Sequence, residues 1–195
     1  MKVIGLTGPT GAGKTTVLRV LESAGAVILD CDKIYYELLE TDEKLRRELT
    51  ETFGEVFLPG GSLDRGKLGK LVFADKTKLN ALNTIIYYYM GLEVRRRLKA
   101  AKQSGKELAA IDAINLIDSG LGELCGMTVA VTAPKEQRLQ RIMARDGIDE
   151  DYARARIEAQ QDDEYYTRRC HAVLHNDGTE EELQQKAKTL FCDFM

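Results

Sequence analysis

The chain has 195 residues, 44% of them apolar and 30% charged, with a formal net charge of −3. That is enough to bury one sizeable core and suits a single domain with a subdomain or lid. The mildly acidic balance argues against a nucleic-acid surface, which shows as a basic domain or stripe. The longest uncharged stretch, Leu79 to Leu92, is interrupted by Asn and Tyr and falls short of the roughly 20 apolar residues that span a bilayer.

Met1-Lys2 leads into a short apolar run, Val3 to Leu6, that has neither the length nor the cleavage site of a secretory signal. A cytoplasmic protein is expected. The run is a predicted strand, and Gly8-Pro-Thr-Gly-Ala-Gly-Lys-Thr15 follows it at once and opens a predicted helix, Thr15 to Ala24. This is a complete G-x-x-x-x-G-K-[ST] in its required strand-to-helix context. Glycines at 8, 11 and 13 let the backbone curl so that successive N–H groups face phosphate oxygens, aided by the dipole at the helix start. Gly8, Gly11, Ala12, Gly13, Lys14, Thr15 and Thr16 are therefore the candidate nucleotide-binding residues. Lys14 reaches the β- and γ-phosphates, and the Thr15 hydroxyl joins the Mg²⁺ shell of ATP. The chain contains no N-K-x-D for guanine and no L-S-G-G-Q of a transporter ATPase, which leaves the small-molecule kinases.

The second predicted strand, Ala26 to Leu29, ends in Leu29-Asp-Cys-Asp32. Ligands of parallel sheets bind outside the carboxyl ends of the strands, so Asp32 is the candidate base for an acceptor hydroxyl, with Asp30 structural. The alternative is that Asp32 caps the helix beginning near Lys33, since Asp is a favoured N-cap. From Lys33 to Gly105 the pattern is mostly helical, broken at Pro59-Gly60-Gly61 and including a long helix, Lys78 to Gln103. An interval so much longer than one crossover needs reads as a helical insertion that binds an acceptor. Its cluster Arg95-Arg96-Arg97-Leu98-Lys99 reads as a solvated helix face.

A third strand, Leu108 to Ile111, delivers Asp112 to the carboxyl edge, either for a water-mediated Mg²⁺ contact or as a turn residue. A fourth follows at Met127 to Val131, then helices at Lys135 to Ala144 and Asp151 to Arg169. The arginine-rich span Arg138 to Arg169 suits either a lid over the phosphates or a charged surface helix pair. In the last strand, Ala172 to Leu174, His171 and His175 stand about 13 Å apart, too far to share a metal. Cys31, Cys125, Cys170 and Cys192 have no C-x-x-C spacing and suggest neither zinc nor a redox pair. The alternation of strands and helices predicts an α/β fold, a three-layer α/β/α P-loop kinase with a parallel sheet. Its core covers 1–32, 106–137 and 170–195, with a helical acceptor subdomain near 33–105 and a lid near 138–169.

The whole chain resembles the dephospho-CoA kinase family. The resemblance is carried by Ile4 to Thr16, Ile28-Leu-Asp-Cys-Asp32, Leu63-Asp-Arg65, Leu82-Asn83, Arg141-Ile142, Arg145-Asp146-Gly147, Arg156-Ile157 with Gln160, and Asn176-Asp-Gly178 with Glu182-Leu183. It implies transfer from ATP, with Mg²⁺, to the ribose 3′-hydroxyl of dephospho-CoA. It assigns Lys14, Asp32 and Arg145 to catalysis, Arg145 as a lid arginine that neutralises phosphate charge. It puts Asn176 near the adenine, although a turn residue reads equally well, and Asp32, Arg65, Tyr87, Asp112 and Gln160 on the substrate side. Two segments depart from the family: Tyr87-Tyr88 stands at its His-Pro pair, and Asp112-Ala-Ile-Asn-Leu-Ile-Asp118 replaces D-x-P-L-L-F-E. Both lie on the acceptor side, which keeps open a related kinase with another nucleoside-like or hydroxylated acceptor. Tyr87, Tyr88 and Tyr89 also suit plain helix packing. A non-catalytic nucleotide-binding regulator is a third reading, opposed by intact Lys14, Thr15 and Asp32. The protein is expected to act as a monomer or weak homo-oligomer.

Overall fold

A computed structural model describes residues 1–194. The elements in chain order are β1 (Lys2–Thr7), α1 (Lys14–Ser23), β2 (Val27–Asp30), α2 (Cys31–Thr41), α3 (Glu43–Phe53), α4 (Arg65–Phe73), α5 (Lys76–Gln103) and β3 (Leu108–Asp112). A short 3₁₀ turn (Leu121–Leu124) then precedes β4 (Met127–Thr132), α6 (Lys135–Asp146), α7 (Glu150–Glu158), α8 (Asp163–Thr167), β5 (Ala172–His175) and α9 (Glu180–Leu190). The strands form one parallel sheet in the order β2-β3-β1-β4-β5. From β1 the chain turns towards one edge of the sheet, and from its neighbour β4 towards the other. That divergence opens a crevice at the carboxyl ends of the two strands, where doubly wound folds bind ligands.

Two compact units are present: Met1–Leu29 with Ala100–Met195, and Asp30–Lys99. In the first, strand alternation sends Ile4 and Leu6 into a core shared with Val17, Leu21, Val129, Val131, Leu174, Leu183 and Phe191. Gly5 points the other way, where a Cβ would come within 2.7 Å of both Cys125 Sγ and Leu116 Cδ2. That face is too tightly filled for any side chain. Burial pushes the Cys125 thiol up to about 12, so it stays protonated and inert. His171 precedes β5 and His175 ends it, their Nδ1 atoms at 2.7 and 2.8 Å from the Thr128 and Thr132 hydroxyls of β4.

One expected element is divided. The helix predicted over Asp151 to Arg169 is two pieces, α7 and α8, because Asp162 starts a new helix by accepting from the Tyr165 N–H at 2.8 Å. The break also leaves Gln160 in the connection between the two helices. Side-chain caps recur at Asp30, Asp42, Asp64, Asp149, Asp162 and Thr179, each satisfying otherwise orphaned N–H groups for about 1 kcal/mol.

The second unit has Ile34, Leu38, Leu45, Leu49, Val56, Leu68, Val72, Ile85 and Val94 among its buried apolar side chains. At Pro59-Gly60-Gly61 the chain reverses through an antiparallel bridge between Phe57 and Leu63. The basic cluster of α5 is more than a solvated face. Leu98 is buried, Arg96 and Arg97 both bond Glu93 at 2.7 Å, and Arg97 also pairs with Glu37. The Arg96 bond, with help from Arg97, lowers the Glu93 pKa from 4.5 to about 2 against the opposing effect of burial. A carboxylate with a depressed folded-state pKa adds stability above pH 4.5 that is lost as the pH falls towards 2. Glu93→Gln should therefore lower the urea midpoint at pH 7 by the equivalent of roughly 1 kcal/mol. The difference from wild type should close as the pH is taken below 4.5, and an equal deficit at both ends of the titration would contradict this.

Candidate active site

Strand β1 ends at Thr7, and the loop Gly8 to Gly13 carries the chain into α1. Two glycines leave no room for substitution. Gly8 (φ +129°) lies so close to β4 that a Cβ would meet the Val131 carbonyl oxygen at 2.1 Å, and at Gly13 (φ +105°) it would meet Asn176 Nδ2 at 2.4 Å. Both conformations also lie in the region that L side chains avoid. Lys14 opens α1 and folds back, its Nζ donating to the carbonyls of Gly8 at 2.8 Å and Pro9 at 3.5 Å. Thr15 is exposed in the first turn of the helix. The Thr16 hydroxyl donates to the Glu180 carboxylate at 3.3 Å.

Beyond Pro9 the carbonyls point elsewhere. Those of Thr10, Gly11 and Ala12 each accept from a side chain outside the loop: Arg138 Nε at 3.0 Å, Arg141 Nη1 at 3.3 Å and Asn176 Nδ2 at 2.8 Å. In a trans peptide the C=O of one residue and the N–H of the next are directed oppositely. Holding the Thr10 and Ala12 carbonyls away from the loop thus turns the Gly11 and Gly13 N–H groups towards its concave side. The result is a nest of donors of the kind that binds phosphate oxygens.

Asn176 is buried, 6% exposed, and besides holding Ala12 it receives Arg141 Nη2 at 3.4 Å. Its side chain braces the loop from the end of β5. Gln160, expected on the substrate side, instead reaches the phosphate loop, where its Oε1 accepts from the Thr10 N–H at 2.9 Å. Asp112 ends β3 directly beside Leu6 of β1, and Thr7 Oγ1 donates to the Ile114 carbonyl at 2.9 Å just beyond it. This puts Asp112 at the strand end from which the loop departs. Arg145 makes none of the hydrogen bonds to the loop that Arg138 and Arg141 make. Its guanidinium holds Asp146 through Nε at 2.7 Å and Nη2 at 3.0 Å.

In the second unit, Asp30 is the cap of α2, accepting from the Lys33 N–H at 3.1 Å. The capping alternative therefore falls to Asp30, and Asp32 is left as an exposed residue of the first helical turn. Four residues on, and so on the same face of α2, the Tyr36 ring carries the Arg65 guanidinium 4.6 Å above its centroid. Helix periodicity thereby gathers Asp32 and Arg65 on one side of α2. Tyr87 is half-buried in α5, Tyr88 is exposed, and Tyr89 donates to Glu48 at 2.8 Å. Burial, together with that hydrogen bond, pushes the Tyr89 hydroxyl up to about 12.

Two loop-holding residues, Arg138 and Arg141, were not among the sequence candidates. The signal for Arg138 was present: it occupies a helix face with Leu139 and Ile142, where a charged residue breaks an apolar stripe. Arg138, Arg141 and Arg145 recur at i, i+3 and i+7, one face of α6.

A carbonyl-tethered glycine loop between a parallel strand and a helix has the geometry to receive nucleotide phosphates, and comparison with known proteins narrows the class. The dephospho-CoA kinase family profile matches residues 2–182. The dephospho-CoA kinase of Carboxydothermus hydrogenoformans is 34% identical over 191 residues, covering 97% of this chain and 93% of that protein. A Thermus thermophilus crystal structure superposes with a TM-score of 0.77 at 33% identity, over 100% of this chain and 98% of the other. The dephospho-CoA kinase of Campylobacter jejuni shares the fold, with a TM-score of 0.69 at 22% identity over 100% and 98% of the two chains. With a family profile matched over residues 2–182 and relatives of this identity covered over nearly their whole length, the chain belongs to the dephospho-CoA kinase family.

Proposed function

We propose that this chain transfers the γ-phosphoryl group of ATP to the ribose 3′-hydroxyl of dephospho-CoA, the last step in making coenzyme A, and does so in the cytoplasm. The reading is carried by one observation: a complete phosphate cradle in a chain that matches dephospho-CoA kinases over nearly its whole length. The nest of N–H groups and the Lys14 ammonium receive the β- and γ-phosphates. Thr15, exposed at the helix start, suits the oxygen shell of Mg²⁺, which when bound offsets charge on the phosphate oxygens. Phosphoryl transfer passes through a loose transition state, so positioning and charge stabilisation supply most of the rate.

Asp32 accepts the proton of the acceptor hydroxyl, and Arg65 on the same face of α2 is the cation for the acceptor's phosphates. Asp112, at the end of β3, would help to hold Mg²⁺. Arg145, about 10 Å along α6 from Arg138, supplies lid charge by exchanging Asp146 for the transferring phosphates. Asn176 and Gln160 act on the loop's shape. Tyr87 fills the place of the family's histidine. It donates a hydrogen bond as a neutral histidine does, without becoming a cation near neutral pH.

Mass spectrometry of the product tests the reading: incubation with ATP, Mg²⁺ and dephospho-CoA should yield coenzyme A. None formed at saturating substrate, alongside phosphorylation of another metabolite, would reassign the acceptor. Tyr87→Phe should raise the KM for dephospho-CoA by roughly fivefold to tenfold, the value of one neutral hydrogen bond. Tyr87→His should leave that KM unchanged or lower it. A Tyr87→Phe enzyme with wild-type KM would remove the hydroxyl from the acceptor site.

A further inference from the structure

The phosphate loop changes sense at one residue. The carbonyls of Gly8 and Pro9 point to Lys14, whereas those of Thr10, Gly11 and Ala12 point to side chains outside the loop. Thr10 is the pivot, and both of its backbone polar groups are held from outside. Its N–H donates to Gln160 Oε1 at 2.9 Å, and its C=O accepts from Arg138 Nε at 3.0 Å. Arg138 Nη2 in turn donates to the same Gln160 Oε1 at 3.2 Å. One bidentate unit therefore grips the peptide groups on either side of the pivot.

Arg138 is also an anomalous residue for its place. It is 2% exposed, beside Leu139 and Ile142 of the α6 apolar stripe, and its ionic partner among the described residues, Asp163, lies 3.7 Å away with half of its own side chain in solvent. Taking a guanidinium out of water is costly, and a packed apolar side chain of the same volume is often as stable or more so. Packing alone gives no reason for an arginine here. Orientation does: the planar fork sets two hydrogen bonds at a fixed angle, which neither methionine nor lysine reproduces. The α6 backbone approaches as well, the Arg138 carbonyl oxygen lying 2.9 Å from where a Gly11 Cβ would be.

We propose that Arg138, acting with Gln160, is a positioning residue for phosphoryl transfer, fixing the Thr10–Gly11 peptide so that the Gly11 N–H faces the phosphates. The proposal rests on reading Gly8 to Thr15 as the cradle of ATP. Because Gln160 and Asp163 belong to the junction of α7 and α8, the pair also makes the loop's shape depend on how that junction is seated. Arg138 does not touch the reacting atoms.

The test compares wild type with Arg138→Met, Gln160→Leu, the double variant and Lys14→Ala, by calorimetric titration of ATP, by kcat and KM with dephospho-CoA, and by thermal melting. Arg138→Met should weaken ATP binding about tenfold and lower kcat on the order of 10²-fold, the scale of a small misplacement of reacting groups. The double variant should be no worse than Arg138→Met, because residues that act as one unit are not additive. A merely structural arginine would lower the melting temperature while ATP affinity and kcat, measured well below it, stayed at wild-type values, and that result overturns the proposal. If Arg138→Met gives no folded protein, Gln160→Leu alone decides, with wild-type ATP affinity and kcat as the overturning result. Lys14→Ala separates the two readings. If it fails to weaken ATP binding or turnover, the loop is not the cradle. If it cripples the enzyme while Arg138→Met and Gln160→Leu match wild type, only the positioning role is lost.

Discussion

Asp32→Asn should lower kcat by about 10²–10⁴-fold, the usual worth of a general base, while leaving ATP affinity near wild type. The amide keeps the shape of the carboxylate and loses its charge and its capacity to take a proton. Because Asp30 caps α2, the substitution should not unravel the helix. A carboxylate in a first turn is worth only about 0.3–1 kcal/mol through the helix dipole, so the melting temperature should move little. Single-turnover measurement with ATP and dephospho-CoA isolates the chemical step from product release. Should ATP affinity collapse while residual turnover stays high, Asp32 serves the metal rather than the acceptor hydroxyl.

Lys14→Ala should reduce kcat by about 10²–10³-fold, the typical effect of removing one preorganised donor from developing charge. The ammonium now lies against the Gly8 and Pro9 carbonyls, which places it inside the curl before any phosphate arrives. Its loss therefore removes a charge and two loop contacts together. Lys14→Met, which keeps the length of the stem, distinguishes them: equal damage in both variants assigns the effect to the charge. Near-normal turnover in either purified variant would take the loop out of the mechanism.

Local signals explain what was readable before the structure. The strands at β1, β3 and β4 are short apolar runs buried on both faces, and a one-residue shift at an end changes nothing in such a reading. The phosphate loop was legible because its glycines are demanded by the backbone itself, as the clashes at Gly8 and Gly13 make plain. The Pro59-Gly60-Gly61 turn announced itself through its Pro-Gly pair and through Gly61, whose φ of +85° suits glycine. The division of α7 from α8 was hidden, since Asp162 can cap a helix or sit within one, and only its hydrogen bond to Tyr165 decides.

By itself the amino-acid sequence determined the fold class, the glycine-rich loop with Lys14 and Thr15 between β1 and α1, and the placing of Asp30 and Asp32 where β2 gives way to α2. These depend on residues adjacent in the chain, whose spacing is the geometry. The tertiary structure alone decided what holds the loop open. Arg138 lies 128 residues from Thr10, Gln160 lies 150 residues from it, and Asn176 lies 164 residues from Ala12. No local pattern records which distant side chain a backbone carbonyl will meet. It also decided that Asp30 and not Asp32 is the cap, and that Arg145 rests on Asp146 while Arg138 and Arg141 hold the loop, because Arg145, on the same face, lies about two turns beyond Arg138 along α6.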